Sequence, residues 1–177
     1  MKILLSAYSC EPNKGSESEV GWRWAIELSA KGNDVYVITR SNNQNNINEE
    51  LSKINIKNLK FLYFDFPPWI IKIIKGHFNK FSYIYFYLWQ IGIYLKFKNF
   101  IKNNSFDFIH HVTFVSYRFP SFLSLCNVPF IYGPLSGGEE VPIKLRKSFN
   151  MKDKIKEWFR DISNKVIIFS PFVNMAF

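Results

Sequence analysis

The chain has 177 residues, 47% of them apolar and 21% charged, with 23 Lys and Arg against 14 Asp and Glu and a formal net charge of +9. That length and apolar content supply a core for one α/β-sized unit and exclude intrinsic disorder, while the charge favours acidic partners such as phosphorylated sugars, anionic lipid surfaces or nucleic acid. Cys10 and Cys126 have neither metal-ligand spacing nor a disulfide framework around them, and no export signal precedes them, so both are read as reduced thiols.

Met1–Leu5 is too short for the apolar stretch of a signal peptide and breaks at once into Ser6-Ala7-Tyr8-Ser9-Cys10. Lys2–Tyr8 therefore reads as a buried parallel strand, and Asp34–Thr39 (DVYVIT), rich in β-branched residues, as a second. A helix lies between them. Ser16 and Glu19 have the spacing of a capping box, Val20, Trp24 and Leu28 mark its apolar face, and Gly32 stands where a helix terminates. Strand, helix and parallel strand in this order begin a doubly wound sheet, and the loop Cys10–Glu17 leaves the carboxyl end of the first strand, where open α/β sheets place ligands. Gly15 would let the backbone approach a phosphate at the helix amino terminus, with Ser16 and Glu17 beside it. The same residues also fit a plain glycine turn with a helix cap, because neither G-x-G-x-x-G nor a Walker loop is present.

An Asn-rich loop (41–48) precedes a third strand at Leu59–Phe66, which Pro67-Pro68 ends. From Phe66 through Phe106 there is no Asp or Glu, while Lys72, Lys75, Lys80, Lys96, Lys98 and Lys102 are all present. Two readings stand: aromatic core with a solvated lysine rim, or an amphipathic segment (66–106) making peripheral contact with an anionic membrane through Trp69, Ile70, Ile71, Ile73 and Ile74. The uncharged run 81–95 is shorter than the about 20 residues a spanning helix needs, so no transmembrane helix is expected. Nucleic acid is not expected as a partner, because these lysines come without arginines and without a recognised binding module.

Asp107–Thr113 (DFIHHVT) reads as a fourth strand. His110 and His111, being adjacent, point to opposite faces, so at most one is aimed at any given cleft. Pro120 fits the start of a short helix reaching Cys126, and Val128–Leu135 gives a fifth strand followed by Ser136-Gly137-Gly138-Glu139-Glu140. Three strand ends, at Gly15, His111 and Gly137-Gly138, are expected to converge on one edge of a parallel sheet.

The ordered combination CEPNKGSESEVGWRWA, DFIHHVTFVSYRFPSFL and PFIYGPLSGGEEVP resembles the amino-terminal domain of the glycosyltransferase 4 family, over essentially the whole chain. The resemblance implies a Rossmann-like, doubly wound, mostly parallel α/β fold forming the amino-terminal, acceptor-side half of a GT-B enzyme. It implies transfer of a glycosyl group from a nucleoside diphosphate sugar to a surface-glycan, lipopolysaccharide or lipid-linked acceptor, with no metal and no cofactor beyond that donor substrate. On matching positions, Gly15, Ser16 and Glu17 would border the donor diphosphate, and His110 or His111 the donor sugar, with His111 preferred as the histidine nearer the strand end. Thr113, Gly137, Gly138 and Glu139 would shape the acceptor side of the cleft. The relatives carry Asp-x-x-His-x-His where this chain has Asp-x-x-His-His, which shifts the register of the second histidine.

The family's spaced glutamate pair belongs to a carboxyl-terminal, donor-binding domain that is absent from these residues. The chain is therefore expected to be a truncated half-enzyme, inactive by itself, with the apolar run Ser170–Phe177 exposed or poorly packed. The resemblance suggests cytoplasmic placement, at the inner membrane face. A non-catalytic acceptor-binding module, or a partner of a separately encoded catalytic half, is the alternative. A nucleotide-dependent dehydrogenase or epimerase is disfavoured, because G-x-G-x-x-G is missing and Arg40, not an acid, follows the second strand.

Overall fold

The computed structural model describes residues 1–77, 82–167 and 169. It clusters into two compact units, Met1–Val115 with Ser121–Pro134, and Ser116–Pro120 with Leu135–Phe177.

The first unit is an α/β layer structure built on five parallel strands, β1 (Lys2–Ser6), β2 (Asp34–Thr39), β3 (Leu59–Tyr63), β4 (Phe108–His111) and β5 (Phe130–Tyr132), in the order β3-β2-β1-β4-β5. This is a Rossmann-like arrangement in which strand order reverses between β1 and β4. All five expected strands are present; β2 has the expected bounds and the other four are shorter than their apolar runs. Register places Leu5 beside Val37 and His110, and Ser6 beside Ile38 and His111, so the alternation of the pleat assigns the two histidines to opposite faces.

One face is covered by α1 (Ser16–Ala30) and α2 (Gln44–Lys53). Ile3, Leu5, Val35, Val37 and Leu59 pack there with Trp22, Ala25 and Ile47. The buried side of α1 is Gly21, Trp22, Ala25 and Ser29, with Ile26 and Leu28 partly buried against the same core, whereas Val20 and Trp24 are exposed at 43% and 37%, so of the Val20-Trp24-Leu28 stripe expected from the sequence only Leu28 reaches the core. Small residues at 21, 25 and 29 let the helix axis sit close to the sheet, and the Trp22 ring stacks at 6.0 Å on Phe61 to fill the gap beyond them. Nor does the capping box form. Gly15 is the N-cap without a side-chain bond, and the Glu19 carboxylate accepts instead from the Asn13 amide (2.7 Å) and from Arg23 Nε (2.8 Å). Gly32, at φ +81, does close the helix, donating its amide to the Ser29 carbonyl at 2.9 Å.

The other face is covered by α4 (Ser82–Asn103), the helix that follows α3 (Pro68–His77). Tyr85, Phe86, Trp89, Ile93, Phe97 and Ile101 are buried, mostly at three- and four-residue steps, so these side chains of the acid-free segment serve the core. Burying each contributes about 1.5–3 kcal/mol. Gly92 is forced by contact: a Cβ there would stand 2.4 Å from the Phe64 ring. Trp69, Tyr83 and Ile84 are exposed, while the side chains at 73–82, Lys75 and Lys80 among them, lie outside the described residues. Among the described residues no helix is long and apolar enough to cross a membrane. Between β4 and β5, Phe122–Cys126 forms a 3-10 turn whose N-cap is Ser121, so Pro120 lies just outside it. Both cysteines are free, Cys10 buried and Cys126 partly so.

The second unit contains the loop after β5, the short helix α5 (Ile143–Arg146) and α6 (Met151–Ile167). A parallel bridge between Ser116 and Ser136 joins its two chain segments. The run Ser170–Phe177 lies outside the described residues.

Candidate functional site

The reversal of strand order puts the switch point, where open α/β sheets form their ligand crevice, at the carboxyl ends of β1 and β4, between the loop into α1 and the segment leaving β4. The two sides are bonded to each other. The Thr113 hydroxyl accepts the Ser9 amide at 3.1 Å, and Glu17, in the first turn of α1, accepts the Phe114 amide at 2.5 Å. Ser9 and Ser18 share a hydroxyl hydrogen bond of 2.6 Å that fixes the loop to its helix. Gly21 is part of the same joint, since a Cβ there would fall 2.3 Å from the Ser9 carbonyl oxygen and 3.2 Å from Thr113 Cγ2.

Three non-glycine residues at this crevice have left-handed φ: Asn13 (+60°), Ser16 (+50°) and Phe114 (+59°). Such backbone costs about 1–2 kcal/mol per residue and persists only where the surroundings enforce it. At Phe114 the enforcement is visible, for the ring packs on Tyr8 at 4.7 Å and Phe86 at 5.3 Å while Glu17 holds the amide.

Of the sequence-predicted residues, Gly15 and Ser16 are exposed at the amino end of α1, and nothing lies within 4 Å of a Cβ built on Gly15. Glu17 is half-buried, and His110, His111 and Thr113 are buried. His110 is 6% exposed; its Nε2 donates to the Gly133 carbonyl at 3.1 Å and its ring meets Trp24 edge-on at 4.8 Å. Burial lowers its pKa, against the opposing effect of the Gly133 carbonyl. The preferred histidine, His111, is wholly enclosed, with Nδ1 on Ser6 Oγ at 2.9 Å and Tyr132 and Phe86 against its ring. Burial drives its pKa down to about 3, so at neutral pH the ring is uncharged, and its Nε2 has no hydrogen-bond partner. In this arrangement His111 and Thr113 hold the strand end in place, whereas Gly15 and Ser16 are the members of the set open to solvent.

The loop with Gly137, Gly138 and Glu139 belongs to the second unit. There Gly137, at φ +93, donates its amide to the Glu139 carboxylate at 2.7 Å, and backbone amides lower the pKa of that carboxyl. Tyr117, Leu135, Ser136, Gly138 and Glu139 line a small hollow of about 330 Å³.

Sequence reading missed a second polar cluster, at the ends of β2 and β3. Asp65 accepts from Arg40 Nε at 2.9 Å, from the Ser41 amide at 3.0 Å and from the Tyr85 hydroxyl at 2.6 Å, and Arg40 lies over the Tyr8 and Tyr85 rings. Burial, then Asp65, raises the Tyr85 pKa. The available signal was Arg40 directly after a strand and Asp65 within an apolar run. A larger groove, about 540 Å³, runs along the outer side of α1 past Val20, Trp24 and Leu28. Gly15 and Ser16 line its amino-terminal end, Arg23 and Glu19 within it are paired with each other, and Lys31 also lines it.

Among the described residues no group of three or more His, Cys, Asp or Glu could hold a metal ion. The fold is an open, parallel α/β sheet, a class whose ligand sites generally fall at the topological switch point. Comparison with protein-family models, with curated proteins and with solved structures finds no match to this chain.

Proposed function

We propose that this chain is the amino-terminal half of a GT-B glycosyltransferase resembling the glycosyltransferase 4 family, and that the switch-point crevice receives the diphosphate of a nucleoside diphosphate sugar. The observation that carries this reading is the strained, cross-bonded joint of β1, α1 and β4, with Gly15 and Ser16 left open at its rim. Left-handed backbone at Asn13, Ser16 and Phe114 costs stability that a purely structural turn could avoid.

In the reaction, the bond from the anomeric carbon to the diphosphate oxygen breaks and a bond to an acceptor hydroxyl oxygen forms, with the hydroxyl proton passing to the departing diphosphate. Negative charge grows on the departing diphosphate. The amide-bearing amino end of α1 carries partial positive charge and is preorganised to stabilise it. His110 and His111, buried and bonded to the Gly133 carbonyl and the Ser6 hydroxyl, would fix the end of β4 beside the site rather than touch the donor. Gly137, Gly138 and Glu139 are assigned to the acceptor side, the donor half being supplied by a carboxyl-terminal domain.

The test is amide NMR of the isotopically labelled chain titrated with nucleoside diphosphates and their sugars. Shifts concentrated at Gly15, Ser16 and Phe114 support the reading. Absence of binding across the panel, or shifts centred on Trp24, Leu28 and Lys31 further along the groove with Gly15, Ser16 and Phe114 unmoved, would discard it. Sugar transfer is expected only when a donor-binding domain is joined to the chain.

A further inference from the structure

Within the second unit, α6 is turned inside out relative to an ordinary amphipathic helix. Met151, Ile155, Trp158, Phe159, Ile162 and Val166 recur at three- and four-residue steps and all are exposed, Trp158 at 58% and Phe159 at 61%. At about 3.6 residues per turn they form one stripe about 100° wide. The polar side faces the protein. Asp161 pairs with Arg146, buried Asn164 accepts from Arg118 Nη2 at 2.5 Å, and Glu157 pairs with Arg160 at 2.6 Å. Helical spacing places Lys152 and Lys156 along one border of the stripe and Lys154 and Lys165 along the other. Among the described residues Lys152, Lys154 and Lys165 have no ion-pair partner, and Lys156 has only an exposed contact with Asp153 at 3.6 Å.

We infer that α6 is an interfacial helix that lies on an anionic lipid surface, with its aromatic and aliphatic stripe in the headgroup and acyl boundary and its lysine borders on the lipid phosphates. Bulky apolar residues flanked on both sides by lysines match that boundary, where apolar burial and attraction to acidic headgroups add. A second copy of the chain fits less well. Stripe-to-stripe pairing would bring lysine borders together, between molecules that each carry a net charge of +9. The placement goes beyond the proposed reaction and stands apart from the 66–106 segment, where Phe86, Trp89, Phe97 and Phe106 are in the core while Trp69 and Tyr83 are exposed.

The experiment is co-sedimentation of the full chain with phosphatidylglycerol–phosphatidylcholine vesicles and with pure phosphatidylcholine vesicles. Binding is expected to the anionic vesicles only and to weaken with salt. Trp158→Ser with Phe159→Ser, and separately Lys154→Glu with Lys165→Glu, are each expected to lower partitioning by about tenfold while leaving the circular dichroism spectrum and urea midpoint unchanged. Wild-type failure to bind anionic vesicles overturns the inference. So does undiminished binding by the aromatic pair variant, which would move the contact elsewhere on the chain, or a wild-type dimer that this variant renders monomeric without any vesicle binding.

Discussion

Glu17 and Phe114, 97 residues apart in the chain, are joined by a hydrogen bond from the Phe114 amide to the Glu17 carboxylate. The bond ties the first turn of α1 to the segment leaving β4 and holds Phe114 in its left-handed conformation at φ +59. Glu17→Ala is expected to cost about 1.5–2 kcal/mol, because a charge-assisted bond is lost and a half-enclosed amide is left unpaired. Glu17→Gln, which keeps an acceptor oxygen, should lose about half as much. Urea midpoints of the two variants check the order.

Gly21→Ala is expected to destabilise the chain by about 1–3 kcal/mol, even though alanine is the better helix former. The added methyl would meet the Ser9 carbonyl oxygen at 2.3 Å, so α1 must shift away from the β1 loop. Gly32→Ala, at φ +81 with open space around it, tests backbone strain without a clash and should cost about 1 kcal/mol. Chemical denaturation separates the two, and amide shifts at Ser9 and Thr113 should change only in the Gly21 variant.

The His111 pKa is about 3 in the folded chain against 6.5 for the free side chain, because burial disfavours the charged ring. The unfolded chain therefore binds the additional proton between these values. Stability contributed by the neutral ring is present above pH 6.5 and is lost as pH falls toward 3, by up to about 1.4 kcal/mol per pH unit. His110, also lowered by burial, contributes in the same sense. His111→Asn should have lower stability at pH 7 through lost ring packing, yet a flatter pH dependence below 6.5. Urea titrations at stepped pH read both effects.

Asp65→Ala is expected to cost about 3 kcal/mol, since it removes the acceptor for Arg40, the Ser41 amide and the Tyr85 hydroxyl at once, and leaves a largely enclosed guanidinium unpaired. The titration of Tyr85, followed by its ultraviolet absorbance, should move back toward that of a free phenol, because the neighbouring carboxylate is one of the causes raising it.

Strand existence, order along the chain and parallel direction were legible because parallel strands buried on both faces are short apolar runs whatever lies around them. Gly32 was legible for a related reason, as a helix end that needs φ +81 selects glycine locally. The face of α1 was not. Val20, Trp24 and Leu28 are large apolar residues, but close packing on a sheet favours the small side chains at 21, 25 and 29, and of the stripe selected by hydrophobic periodicity only Leu28 packs against the core. The role of Glu19 escaped for a similar reason: capping-box spacing fits Ser16, yet the left-handed turn at Ser16 carries the carboxylate back to Asn13.

The sequence by itself determined that the chain is α/β, that its first loop leaves a strand toward a helix amino terminus, and that adjacent histidines occupy opposite faces, because these follow from hydrophobic period and backbone stereochemistry alone. Only the tertiary structure decided that β1 neighbours β4, and so where the crevice lies. It also decided that His111 is sealed against Ser6 and Tyr132 while Gly15 stays open, and that α6 turns its apolar stripe outward. Those outcomes depend on contacts between residues 15 to 105 positions apart, and burial at each site is set by which element covers it, a quantity that no local run of residues encodes.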